Sequence, residues 1–207
     1  MDKFLAFDCS SELIIVGCFD GKTYYETTKK ASGTEQLLPT IDETLKKASL
    51  DITDIKILGV GVGPGSWTGS RVAVVTAFGL ANGKNKLKLL PFNSFDLFSY
   101  NNIETATEKN KIELVKAYAN FVYAKVNGAE PACITYDQLK QDFDGYVKYS
   151  VEELPVETTL CTRSLFDTMT KLISKKCFKK QSEIEPMYLR LSQAELQLQQ
   201  KQLKDKK

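Results

Sequence analysis

The length and composition of the chain set broad limits on its class. It has 207 residues, of which 43% are apolar and 26% charged, so it can bury one large or two small hydrophobic cores. Its net charge of +2 neither requires nor excludes an anionic partner. Histidine is absent, which excludes His-assisted serine or cysteine nucleophiles and imidazole metal ligands. The five cysteines are widely spaced and lack a Cys-x-x-Cys pair, so they predict neither a disulfide framework nor a zinc site.

Strands and helices are predicted to follow one another closely in the first half of the chain. Apolar runs bounded by turn residues predict strands, at 3–8, 13–19, 22–28 and 55–61. Helical spacing of apolar residues predicts two helices, at 34–49 and 70–82. Ser32 and Glu35 are expected to form a capping box at the start of the first helix, and Pro39 to bend it. The resulting order is three strands, a helix, a strand and a helix.

The second half repeats this order weakly. Strands are predicted near 112–118, 121–127, 131–135 and 145–150, with helices near 136–142 and 163–175. The polar segment from Tyr100 to Lys111 is the best boundary, so we expect one domain over 1–102 and a smaller one over 103–190. Residues 191–207 are rich in Gln and Lys and predict a marginal, solvated helical tail. With no signal peptide before Phe4 and no run near the ~20 apolar residues that span a bilayer, a cytoplasmic location is expected.

A glycine-rich junction joins the strand at 55–61 to the helix that follows. It reads GVGVGPGSWTGSR over 59–71, and a helix N-terminus after such a turn can hold an anion. It lacks the Lys of a Walker loop and misses the Gly-x-Gly-x-x-Gly spacing, so a connection that binds no nucleotide is the alternative. The candidate residues of a nucleotide or anion loop are Asp8, Gly63, Gly65, Ser66, Thr68 and Gly69. For Asp8, the alternative role is to cap the turn between two strands.

The helix after this junction is apolar on nearly every side. Its own sheet can cover only one side, so the other side is expected to be an interface with a partner. The alternative is that the 34–49 helix and the second domain cover it. The predicted interface residues on this helix are Val72, Val75, Phe78 and Gly79.

Several motifs occur in the order found in one known family. They are the run Phe4 to Ser11, the block Gly33-Thr34-Glu35-Gln36-Leu37-Leu38-Pro39, the block Gly63 to Arg71, the run Gly79-Leu80-Ala81, and the late Pro186-Met187-Tyr188-Leu189-Arg190 with Ala194-Glu195. In these residues the chain resembles the TsaB family, also called YeaZ. The resemblance is specific over residues 4–81 and is only a pattern over 112–185.

The resemblance implies an α/β fold of the actin-like, ribonuclease-H-like class, with two lobes of mixed sheets flanked by helices. It also implies a non-catalytic partner of the enzyme TsaD, which with TsaE and threonylcarbamoyl-adenylate modifies adenosine 37 of ANN-decoding tRNAs. The expected partners are TsaD as a heterodimer, TsaE, a second copy of the chain when TsaD is absent, and tRNA only through the complex. The resemblance also adds Glu35, Leu38, Trp67 and Arg71 as interface candidates. No cofactor is expected for this chain itself, with ATP or ADP at the partner interface left open.

The chain departs from the family and from active relatives at several positions. The family's His before the Ser-Glu-x-Leu-Leu-Pro block is Gly33 here, and its Asp near the start of the second half is Lys116. The chain has no His-x-x-x-His metal pair of the TsaD type. An ATPase of this class needs an acidic residue near a Gly-rich turn in each of two hairpins. We therefore expect a pseudo-enzyme without catalytic or metal-binding residues. A small kinase or ATPase acting alone, and a tRNA-binding module, stay open as alternatives.

Overall fold

The first sheet is built around two strands that are buried along their whole length. Within residues 1–30, 34–83, 87–100 and 110–190, which the computed structural model describes, it has five strands in the order β3-β2-β1-β4-β5. They are β1 (Phe4–Asp8), β2 (Leu13–Phe19), β3 (Tyr24–Lys30), β4 (Ile57–Gly61) and β5 (Lys88–Phe92). β1 pairs antiparallel with β2 and parallel with β4, and β4 pairs parallel with β5. Every residue of β1 and β4 is buried, as expected for strands covered on both faces.

Two helices cover one face of this sheet. They are α1 (Leu37–Lys47) and α2 (Trp67–Ala81), and their apolar residues share one core with alternate residues of β1, β2 and β4. A short strand, β6 (Phe98–Ser99), follows β5 after a 3-10 turn. No helix in the described parts of the chain is long and apolar enough to cross a membrane.

The second sheet repeats the strand order of the first. Its strands are β7 (Lys111–Lys116), β8 (Phe121–Val126), β9 (Ala132–Thr135), β10 (Val147–Ser150) and β11 (Thr159–Leu160). The order β9-β8-β7-β10-β11 has the same antiparallel and parallel pairings as the first sheet. The helix α3 (Tyr136–Asp142) packs on one face through Tyr136 and Leu139. The weak repeat in the sequence is therefore a repeat of topology.

The chain then returns to the first sheet. The strand β12 (Thr162–Arg163) pairs with β6, and the helix α4 (Leu165–Ser174) packs on the face opposite α1 and α2. Gly59 of β4 makes room, because a Cβ there would collide with the sulfur of Met169. The sequence groups the 163–175 helix with the second half, whereas α4 lies in the core of the first sheet. The predicted boundary at 102/103 and the tail at 191–207 lie outside the described residues, so that division stays a prediction.

Three further differences from the predicted elements have local causes. α2 begins at Trp67 instead of residue 70, because the Ser66 hydroxyl caps it by accepting from the Gly69 N–H at 3.1 Å. Residues 34–36 form a 3-10 turn before α1, which places Pro39 in the first turn, where no intrahelical hydrogen bond is lost and no bend is needed. Ser32 lies outside the described residues, so the capping box is not described. β5 is not among the predicted strands, and it contains Pro91, which is tolerated because β5 is an edge strand.

Candidate functional site

The glycine-rich junction packs directly on the turn between β1 and β2. The Ser66 N–H donates to the carbonyl oxygen of Ser10 at 2.5 Å. A Cβ at Gly65 would collide with the same carbonyl, and one at Gly69 with the carbonyl of Cys9. These glycines are therefore required because two backbone segments, far apart in the sequence, touch here.

The polar groups of the junction are bound mainly within the protein. Gly69 and Ser70 N–H groups donate to the hydroxyl and carbonyl of Ser66, at 3.1 and 3.0 Å. Ser94 closes the loop from the other side, since its hydroxyl donates to Pro64 O and its N–H to Gly63 O, both at 2.8 Å. The donors that a phosphate would use at Ser66, Gly69 and Ser70 already have protein acceptors. Of the predicted loop residues, Ser66 and Thr68 are exposed, at the N-cap and in the first turn of α2.

Asp8 lies beneath this junction and is buried. Its carboxylate accepts from the N–H and hydroxyl of Ser10 at 3.3 and 3.1 Å, and packs against the Cα of Gly61. Burial raises the pKa of Asp8, an effect that the nearby positive charge of Arg163 partly offsets. The neighbouring Cys9 thiol donates to the Gly69 carbonyl at 3.1 Å, and burial raises its pKa to about 12, so it is not a nucleophilic thiolate at neutral pH. The capping role weighed for Asp8 matches its bonds to Ser10.

Charged side chains join the first sheet to the second. We call Asp8, Ser11, Glu12, Lys116, Glu152 and Arg163 the inter-sheet cluster. Lys116, at the end of β7, donates through Nζ to Glu12 at 2.6 Å, and its backbone N–H donates to Glu152 at 3.0 Å. Arg163 donates through a terminal nitrogen to the hydroxyl of Ser11 at 2.7 Å. Lys116 and Arg163 thus place cations between the two hairpin turns.

The inter-sheet cluster does not fit the metal-bound phosphate that an ATPase of this class would need between its two hairpins. The second hairpin offers the ammonium of Lys116 where a metal needs a carboxylate, and Asp8 is turned toward Ser10 and Gly61. Among the described residues, no group of three or more Cys, Asp or Glu side chains is placed to hold a metal ion.

The opposite side of α2 carries a row of exposed residues. Arg71, Val75 and Gly79 follow one another at a spacing of four and all point outward, with 67% of Val75 exposed. The inward side, with Ala73, Val74 and Ala77, is buried. The predicted interface residues Val72 and Phe78 are partly buried against the core. α1 and the second sheet therefore leave this side of α2 partly uncovered.

The other predicted interface residues lie beside this row. Leu38 on α1 is 58% exposed, and the 3-10 turn that carries the exposed Glu35 packs against α2. We call the exposed parts of Glu35, Leu38, Trp67, Arg71, Val72, Val75, Phe78 and Gly79 the α2 face.

The sequence does not mark Tyr188 as part of this surface. Its ring centre lies 4.2 Å from that of Trp67, and its hydroxyl accepts from Nε of Arg71 at 2.8 Å. The Arg71 guanidinium lies 4.4 Å from the centre of the Trp67 ring. The Pro186 to Arg190 motif is the available signal: it predicts that Leu189 and Arg190 tie the tail to the first domain, but it does not indicate that Tyr188 contacts α2, and Arg190 instead stacks on Phe121 of the second sheet.

The fold and these contacts define a class first. Two sheets with the same strand order, flanked by helices, form the actin-like, ribonuclease-H-like fold. A solved structure of YeaZ from Pseudomonas aeruginosa shares this fold, with a TM-score of 0.73 at 17% identity over 91% of this chain and 100% of that one.

Sequence comparisons then identify similar proteins of named function. Residues 28–128 match the family model of TsaD, tRNA N6-adenosine threonylcarbamoyltransferase. The chain is 32% identical over 121 residues to the tRNA threonylcarbamoyladenosine biosynthesis protein TsaB of Haemophilus influenzae, and 33% identical over 84 residues to TsaB of Escherichia coli. The matches cover 58% and 39% of this chain. They span 51% and 36% of those relatives, so the chain spans about half their length or less. These similarities support a relation to the TsaB proteins, also called YeaZ.

Proposed function

We propose that the chain is a non-catalytic, cytoplasmic partner subunit in the biosynthesis of N6-threonylcarbamoyladenosine at position 37 of tRNA. In this role it binds and activates TsaD, together with TsaE, and meets tRNA through the complex. The relatives named as tRNA threonylcarbamoyladenosine biosynthesis proteins support the process. The exposed α2 face carries the proposal for a partner.

The physical argument concerns the exposed centre of that face. Val75 and Leu38 are large apolar side chains that are more than half exposed, and Gly79 leaves open space beside them. Covering them would release ordered water, and the small Gly79 would allow a partner helix to approach closely. Trp67 and Arg71 at the edge are residue types that often dominate binding energy.

A non-catalytic role agrees with the chemistry of the inter-sheet cluster. Glu12 and Glu152 are paired with Lys116 and Arg163, Asp8 is held by Ser10, and histidine is absent from the chain. Activation would then be thermodynamic, because contact at the α2 face favours the competent conformation of TsaD. The chain needs no nucleotide of its own in this proposal, while ATP or ADP at the shared interface stays compatible with it.

Light scattering coupled to gel filtration tests the proposal on the chain alone and mixed with its cognate TsaD. We expect a heterodimer with the wild type and none with Val75→Glu. Burying an unpaired carboxylate in an apolar interface costs at least about 3 kcal/mol, or roughly a hundredfold in affinity. Leu160→Glu is the matched control, because Leu160 lies in β11 of the second sheet and is 56% exposed.

Two outcomes would contradict the proposal. One is a chain that stays monomeric in every mixture, which would turn attention to ATP hydrolysis by the chain alone and its loss in Asp8→Ala. The other is equal loss of the heterodimer in Val75→Glu and Leu160→Glu, since the effect would then not belong to the α2 face.

A further inference from the structure

Arg163 has an unusual position for an arginine. Only 12% of its side chain is exposed, and it extends from β12, which pairs with the short strand β6. One terminal nitrogen donates to the Ser11 hydroxyl at 2.7 Å, and the other lies 4.0 Å from the carboxylate of Glu152. Its Nε is buried and has no hydrogen-bond partner, and no other buried side-chain nitrogen or oxygen among the described residues is in this position. The guanidinium is thus held by charge more than by a complete set of hydrogen bonds.

The groups around Arg163 come from both sheets. Ser11 belongs to the turn between β1 and β2, whereas Glu152 follows β10 of the second sheet. Glu152 in turn accepts from the backbone of Lys116 at the end of β7. A single guanidinium therefore connects the first hairpin turn with two strand ends of the second sheet.

The buried carboxyl group of Asp8 lies within the field of this cation. Arg163 is the cation whose field acts on Asp8, while burial and the charge of Glu152 act against its ionised form. Removing the charge of Arg163 would leave burial and the charge of Glu152 to favour the protonated form of Asp8 still further.

A chain of close contacts leads from Arg163 to the α2 face. Ser11 lies in the turn whose neighbours, Cys9 and Ser10, touch the glycine junction through their carbonyl oxygens. The junction ends in Gly69, inside the first turn of α2. Because the glycines leave no space between these backbones, a shift of the turn must move the start of α2.

We propose that Arg163 is the cation that holds the inter-sheet cluster together. It fixes the turn of residues 9–12 against the second sheet, and through that turn it positions the glycine junction and the first turn of α2. Arg163 is thus a positioning residue, and its effect on partner binding rests on the proposed function of the α2 face.

Hydrogen exchange measured by mass spectrometry on the isolated full chain tests this inference without a partner. Arg163→Gln and Arg163→Met both remove the charge, and Met keeps much of the apolar stem. We expect each to speed exchange about tenfold or more in residues 9–12 and 64–70, with α1 unchanged. Arg163→Lys keeps the charge and is expected to restore exchange to within about threefold of the wild type. Arg190→Gln is the matched control, because Arg190 stacks on Phe121 outside the inter-sheet cluster.

Wild-type exchange in Arg163→Gln would overturn the inference, as would an Arg163→Lys chain that exchanges as fast as Arg163→Gln. If the Gln and Met variants do not fold, Glu152→Gln serves instead, with faster exchange expected in 9–12 and unchanged exchange overturning the inference. Binding to TsaD separates the two proposals. If hydrogen exchange is faster in Arg163→Gln but the wild type does not bind TsaD, the positioning role of Arg163 is supported. The α2 face is then contradicted as a docking surface.

Discussion

Gly69 and Gly79 lie on the same helix but in opposite surroundings. Gly69 faces inward, where the carbonyl oxygen of Cys9 occupies the space a side chain would need. Gly79 faces outward, and a Cβ there would meet nothing within 4 Å. The glycine cluster was predictable as a tight junction. The contact that requires these glycines was not predictable, because the backbone they touch belongs to the turn after β1, which is distant in the sequence.

The two glycines give a matched pair of substitutions. Gly69→Ala should lower the free energy of unfolding by roughly 1–3 kcal/mol, because the added methyl group collides with backbone that cannot rotate away. Gly79→Ala should raise it by roughly 0.5–1 kcal/mol, because alanine loses less backbone entropy than glycine inside a helix. Urea unfolding at low protein concentration measures both. A Gly69→Ala chain as stable as the wild type would show that the junction is not held against Cys9.

At the scale of elements, residues 184–190 connect parts of the molecule that the sequence leaves separate. We call them the C-terminal strap. Ile184 is buried in the core shared with α1 and α2, and the Met187 N–H donates to Val62 at 2.7 Å. Tyr188 then stacks on Trp67, and Arg190 reaches Phe121 in the second sheet. Periodicity predicts helices and strands, but it carries no information about where an irregular strap docks.

The single tryptophan makes the contact with the strap measurable. Trp67 is the chain's one tryptophan, so its fluorescence reports on Tyr188 directly. Tyr188→Ala should shift the emission to longer wavelength and make quenching by acrylamide more efficient, because water replaces the ring at 4.2 Å. Tyr188→Phe keeps the ring and loses only the bond to Arg71, so its emission should stay near that of the wild type.

Tyr118→Ala serves as the control, since Tyr118 is 71% exposed and lies in the turn after β7. The same emission spectrum for Tyr188→Ala and the wild type would mean that the strap is not seated on Trp67 in solution.

At the scale of the whole molecule, most of the architecture was within reach of the sequence. Three strands, a helix, a strand and a helix were predicted twice, and both sheets have the order that this succession implies. The packing of α4 on the first sheet was not predicted, because its apolar side shows that it is covered but not by which sheet. The ion pair between Glu12 and Lys116 was missed for the same reason, since the two residues meet only when the sheets do.

The charges between the sheets lead to a prediction for the whole chain. Asp8, Glu12 and Glu152 supply three carboxyl groups against the two cations Lys116 and Arg163, so an entering phosphate would have to displace existing ion pairs. We therefore expect Mg-ATP at millimolar concentration to leave the free energy of unfolding of the isolated chain unchanged. Binding at a hundredfold excess over Kd would raise it by about 2.7 kcal/mol, which urea unfolding resolves easily.

An effect of Mg-ATP on the free energy of unfolding has a different meaning in the isolated chain than in the presence of TsaD. The prediction would be contradicted if Mg-ATP raised the free energy of unfolding of the isolated chain and the increase disappeared in Asp8→Ala. Phosphate would then enter between the hairpins despite the ion pairs. A rise that requires TsaD would place the nucleotide at the shared surface and leave the inter-sheet cluster a structural feature. Since Lys116 and Arg163 already pair with Glu12 and Glu152, the isolated chain gains little from a further metal-bound anion.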